Sequence, residues 1–331
     1  MSHEAVAAPA SVVDQHVPWH YGNPHAEQRA LVAGTAVVDI SNRAIVRVCG
    51  EDRISWLNTL TTQYLLDLAP VGSGAPGAAS SALALVLSPN GHVEHELHVV
   101  DDGTCTWIVT EPDSAPALLD YLTRMQFWNQ VTITDVTDAF AVVWEPSREP
   151  DPVHPSWLVP TDFAERGFAG REVILPRSEL PGRLSAAPQL AGTWALEALR
   201  AAAGVPRAGR ETDHRTIPHE VGWIQTAVHL NTGCYRGQET VARVHNLGRP
   251  PRRLVLLHLD GSTEAGAAHC DRVFVDDVEV GWVGTGARHF ELGAIATAII
   301  KRSIPDDARL TVRTADGPLS AAIEPIVLLD R

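Results

Sequence analysis

From Leu254 onward the chain breaks into six short apolar segments: Leu254 to Leu259, Arg272 to Val275, Val278 to Val283, Ala294 to Ile300, Leu310 to Thr314 and Ser320 to Pro325. Gly- and Asp-bearing turns separate them. Segments this short read as strands, and a run of strands at close spacing must pair with its own members. The pattern predicts a small six-stranded β-barrel over residues 248–331.

Upstream the pattern differs. Ile45 to Cys49 alternates as a strand, and Gly50 turns it into a helix carrying Trp56, Leu57 and Leu60 on its apolar stripe. Gly72 to Ser81 reads as a mobile loop. Ala82 to Leu87 and His92 to Val100 form a hairpin across the turn Ser88-Pro89-Asn90-Gly91. Strands at Cys105 to Val109, Val131 to Thr134 and Phe140 to Trp144 surround an amphipathic helix over Ser114 to Gln126. A further helix over Thr193 to Ala203 is closed by Gly204 and Pro206. Helices intermixed with hairpins define an α+β class with mixed sheets, not a doubly wound parallel one. The five prolines between Glu145 and Pro160 mark a junction within an α+β region over 19–247. Residues 1–18 read as a flexible arm, with order beginning near Trp19.

With 45% hydrophobic and 20% charged residues the chain is globular rather than disordered. Its net charge of −14 works against nucleic acid or an anionic membrane as partner. No basic, apolar leader opens the sequence and no apolar run reaches membrane-spanning length, so a cytoplasmic location is expected. The four cysteines lack a C-x-x-C pair, which fits a reducing compartment, and Cys49, Cys105 and Cys270 are read as core residues.

Three constellations bear on chemistry. His92, Glu94, Glu96 and His98 share one strand face at period two, the way a strand presents metal ligands, but the same alternation suits a solvated polar face. No metal is expected there. Gly281 to Gly286 has the glycines of a phosphate loop without a following helix and is read as a Gly-rich turn. The third is Thr232-Gly233-Cys234-Tyr235-Arg236-Gly237-Gln238-Glu239-Thr240-Val241-Ala242-Arg243. Two glycines that permit close approach flank a thiol, and Arg236 beside it favours the thiolate. Arginines there can also grip a carboxylate.

The run Gly233 to Glu239 resembles the K-G-C-Y-x-G-Q-E signature of the YgfZ proteins, folate-binding relatives of the glycine-cleavage T-protein (aminomethyltransferase). Weaker similarities are collinear: His20-Tyr21-Gly22, Ala33-Gly34 to Ser41, Gly50 to Gln63, and Ile217-Pro218-His219-Glu220. The resemblance implies a cloverleaf of two interleaved α+β modules and a C-terminal barrel around a channel for tetrahydrofolate. It also implies a folate-dependent role in assembling or repairing iron–sulfur proteins, with those proteins as partners and Cys234 as the functional centre. Tyr235, Arg236, Gln238, Glu239, Arg243 and Arg200 are the implied folate contacts.

The departures are specific. The paired acids of the T-protein's post-hairpin strand are His95 and Glu96 here, and its L-R-x-E-A-G is Leu199-Arg200-Ala201-Ala202-Ala203-Gly204. Glycine-cleavage activity is therefore not expected. The signature Lys is Thr232, so any charge beside the thiol falls to Arg236 or Arg243. The alternatives are a tetrahydrofolate-dependent one-carbon transferase with another donor, using Glu96 or Glu220 as acid/base, and a ligand-free protein-binding scaffold.

Overall fold

The computed structural model describes residues 4–9, 13–70, 80–231, 233–261 and 266–328. Most of the loop expected over Gly72 to Ser81 lies outside these residues, as does Thr232.

Two five-stranded sheets lie back to back. The first has the order Ser81–Leu87, Val93–Asp101, Cys105–Thr110, Ala44–Cys49 and Thr132–Asp135, antiparallel throughout. The second runs Ser156–Leu158, Arg171–Pro176, Phe140–Glu145, Ala36–Asp39 and Gln189–Ala191, the last pairing parallel. The chain crosses between them twice, because Ala36–Asp39 and Phe140–Glu145 pair with each other while Ala44–Cys49 opens the first sheet. The modules are interleaved as expected.

Alternation along the strands assigns the faces. Val46, Val48, Leu97, Val99 and Ile108 of the first sheet pack under helices Arg53–Leu60 and Ala115–Arg124, against Trp56, Leu57, Leu118 and Leu122. Leu118, Tyr121 and Leu122 recur at i, i+3 and i+4, which turns one face of their helix to the sheet. Ile45, Leu85, Val100 and Val109 point the other way and meet Val38, Val142, Trp144 and Ile174 of the second sheet.

The six C-terminal strands close into a barrel through the pairing of Arg252–Leu259 with Gly317–Pro325. Gly281 to Gly286 lies inside strand Val278–His289, not in a turn. The reason is close approach: a Cβ on Gly281 would collide with Ile299 O, and one on Gly286 with Ala267 O.

Three further stretches are defined. The arm is packed from Asp14 on: Asp14 and Val17 are buried, and Val6–Ala7 pairs with Pro18–His20. The proline-rich stretch runs within the second module, where Glu145 and Asp151 bind Arg171 and Arg183 and Ser156 is fully buried. Among the cysteines, Cys105 is buried as expected and is disulfide-bonded to the half-buried Cys49 on the neighbouring strand, whereas Cys270 is exposed.

Candidate functional site: an outward thiol, a cleft and a charged chamber

From Gly233 on, the signature stretch is a loop feeding a helix, Gln238–Leu247, that its polar sequence did not suggest. Gly237 caps the helix with φ +83, and Gln238 N–H donates to Tyr235 O at 3.2 Å. The loop sits on the hairpin turn glycine against glycine. A Cβ on Gly237 would lie 2.6 Å from Ser88 O, and one on Gly91 would lie 2.8 Å from Thr240 Cβ. This contact fixes which way the neighbours point. Tyr235 turns into the core, where burial pushes its hydroxyl up to about 12, and Cys234 is exposed on the outer side.

Arg236 reaches across to the hairpin strand. Its guanidinium binds Glu94 at 3.0 Å and lies over the Tyr121 ring at 5.4 Å. With both partners about a third exposed, that pair contributes roughly 0–1 kcal/mol. Behind it, His95 Nδ1 is 2.5 Å from Ser114 Oγ, and burial followed by the Arg236 charge lowers its pKa to about 4. His95 is thus a neutral hydrogen-bonding group at pH 7. Arg236, Glu94, His95 and Tyr121 line a cleft of about 870 Å³. Glu239 and Arg243 are exposed, and Gln238 is half-buried.

Glu96 and Arg200 belong to a different place, a chamber of about 60 Å³ between the sheets. Glu96 accepts the Ala208 N–H at 2.7 Å and stands 3.5 Å from His98 Nε2. Glu172 takes the other ring nitrogen at 2.8 Å, and the Trp157 indole stacks on the imidazole with centroids 3.8 Å apart. The face divides: Glu94 is exposed and paired with Arg236, whereas Glu96, His98 and Glu172 form a buried ion-pair ladder.

Arg200 is enclosed by Glu197 at 2.8 Å, Glu211 at 3.1 Å and Thr285 Oγ1 at 2.7 Å. Beside it Arg207 binds Asp14 and Glu111, and Arg43 also contacts Glu111. Burial opposes the charge on Asp14, yet Arg207 holds its carboxyl well below the usual range. Glu220 is buried elsewhere. It accepts the Ile217 N–H and two Arg252 nitrogens at 2.8 Å, tying the turn Pro218–Val221 to the first barrel strand. The three residues expected as catalytic therefore occupy three separate places.

Burial disfavours the charged His98, but Glu172 and then Glu96 outweigh it and raise the pKa from 6.5 to about 9. A raised folded-state pKa stabilises the fold fully below 6.5, and the contribution is lost as pH climbs through 9. The stability measured by urea denaturation should fall between pH 6.5 and pH 9.5 by an amount on the order of 2–3 kcal/mol. His98→Gln should flatten that limb; an unchanged slope in the variant would place the titration on another group.

Neither Arg210 nor the His95–Ser114 pair was singled out by sequence reading. Arg210 lines the cleft within a polar run, Arg207 to Glu220, whose only sequence signal is charge among small residues.

The fold is that of the glycine-cleavage T-protein. The aminomethyltransferase T of the glycine cleavage system from Bartonella henselae superposes with a TM-score of 0.78 at 15% identity, covering 99% of this chain and 95% of that one. By sequence the chain is similar to a chloroplastic protein of Arabidopsis thaliana named as a candidate transferase, 25% identical over 79% of this chain and 65% of that protein. It is also similar to a mitochondrial iron–sulfur cluster assembly factor IBA57 homologue of Mycosarcoma maydis, 22% identical over 70% of this chain and 59% of that protein. The chain spans less than two thirds of the length of both relatives. No protein-family model matches it. No helix among the described residues is long and apolar enough to cross a membrane.

Proposed function

We propose that this protein acts in the cytoplasm in the assembly or repair of iron–sulfur proteins, with Cys234 as the contacting group and a folate bound in the cleft beside its loop. The observation that carries the reading is the placement of the thiol. The Gly91–Gly237 contact and the inward Tyr235 hold Cys234 exposed on a fixed loop, where a partner protein can meet it. One thiol does not complete the usual four-cysteine ligation, so a cluster contact would be shared with the partner. The assembly factor among the relatives and the aminomethyltransferase fold support the same direction.

Volume favours the cleft as the place for a folate. Small-molecule sites run to about 300–1,000 Å³; the cleft, at about 870 Å³, lies in that range and the chamber, at about 60 Å³, does not. Trp157, His98 and their carboxylates fill the chamber instead. Because Glu96 and Glu220 are committed to buried contacts, an acid-catalysed one-carbon transfer has no free carboxylate among the residues expected to supply it.

Tetrahydrofolate titrated into the purified protein should give a saturable change in tryptophan fluorescence. Ala117→Trp, on the cleft wall away from the chamber, should weaken it at least tenfold. Absence of saturation would leave the protein-binding scaffold as the reading, and full binding by Ala117→Trp would return the ligand to the chamber.

A further inference from the structure

The cleft contains a cation without a counter-charge. Buried and half-buried arginines here are mostly matched to carboxylates: Arg207 to Asp14 and Glu111, Arg200 to Glu197 and Glu211, and Arg252 to Asp213 and Glu220. Arg210 is different. Its Nε is buried with no hydrogen-bond partner, and no carboxylate lies within ion-pair distance of it among the described residues. The cost of burying the charge is visible as a lowered pKa, with Glu197 and Glu211 offsetting only part of it.

The backbone around Arg210 is also fixed. Its N–H donates to Arg207 O, Gly209 N–H donates to Thr212 Oγ1, and the next residue, Glu211, is wholly buried between the two halves of the molecule. The cleft's own acids cannot serve Arg210. Glu94 is taken by Arg236, Asp213 by Arg252 and Glu111 by Arg207, while Asp113 is exposed. A guanidinium that lines a cleft of about 870 Å³ from a hydrogen-bonded turn, with its Nε unfilled, matches the planar two-oxygen edge of a carboxylate or phosphate.

We propose that Arg210 anchors the oxyanion, carboxylate or phosphate, of a small molecule bound in this cleft. The site stands whether or not that molecule is a folate. Tyr121 and Ala117 on the helix side and His214 on the loop side would enclose the rest of the ligand.

The test is calorimetric titration of the whole protein with inorganic phosphate and, separately, with succinate, in a low-chloride zwitterionic buffer. Saturable binding of either probe is expected, and which one binds identifies the oxyanion. Arg210→Gln should weaken it at least tenfold. Arg124→Gln, which removes an exposed cleft arginine paired with Asp120, should change it less than twofold. Arg210→Lys keeps the charge without the fork and should fall between; it carries the comparison if the Gln variant does not fold. Two results would overturn the site: neither probe saturates, or the Arg210 variants bind as tightly as the parent. If tetrahydrofolate still binds in that case, the anion site alone has failed.

Discussion

Glu211→Ala should lower the stability of the fold by about 3–5 kcal/mol, a large fraction of the roughly 5–15 kcal/mol that holds a typical domain together. Glu211 is completely buried and joins the two parts of the molecule. From the α+β side it accepts the Arg207 N–H at 2.9 Å and Arg200 Nη1 at 3.1 Å. From the barrel it accepts the hydroxyls of Thr285 and Thr297 at 2.7 and 2.6 Å. Gly284 makes room, since a Cβ there would come within 2.8 Å of the carboxylate. Alanine would leave four donors facing a void, one of them charged. Glu211→Gln keeps the shape and should cost less. Urea denaturation of both variants checks this, and a midpoint unchanged in Glu211→Ala would show that the barrel docks by apolar contact alone.

Cys234→Ser should abolish recovery of client iron–sulfur enzyme activity in cells that lack the protein, with the melting temperature unchanged. The stability half follows from exposure: an outward side chain has little packing to lose. The activity half follows from chemistry, because serine keeps the size of the group but is a far poorer ligand and nucleophile. Full recovery with the serine variant would remove the thiol from the mechanism. Loss of recovery with a lowered melting temperature would point to misfolding.

The barrel could be read from the sequence because its strands are apolar runs separated by Gly- or Asp-bearing turns, although only half of the pairings join strands that are neighbours in the chain. The hairpin at Ser88 to Gly91 and the helix closed by Gly204 were legible for the same local reason. The status of Glu96, His98 and Glu220 was not. Alternation places His98 and Glu96 on one face, but only the second sheet, which brings Glu172 from 74 positions away, decides that the face is interior. Glu220 looked available until Arg252 arrived from 32 positions further on. At the signature, the glycines indicated close approach without saying to what; the partner is the hairpin turn, roughly 150 residues earlier. Local chemistry was readable, and its long-range counter-charges were not.

The ion pair between Asp14 and Arg207 has a consequence for the order in which the molecule can be made. The two residues are 193 positions apart. At ribosomal speeds of ~5–20 residues per second, Asp14 waits roughly 10–40 s for its partner to be synthesised. By the end of that interval Arg43, Glu111, Glu172 and Arg200 are joined to the chain, while Arg207 and Glu211 are still to come. A chain stopped before Arg207 would therefore leave Asp14 without the guanidinium that pairs with it.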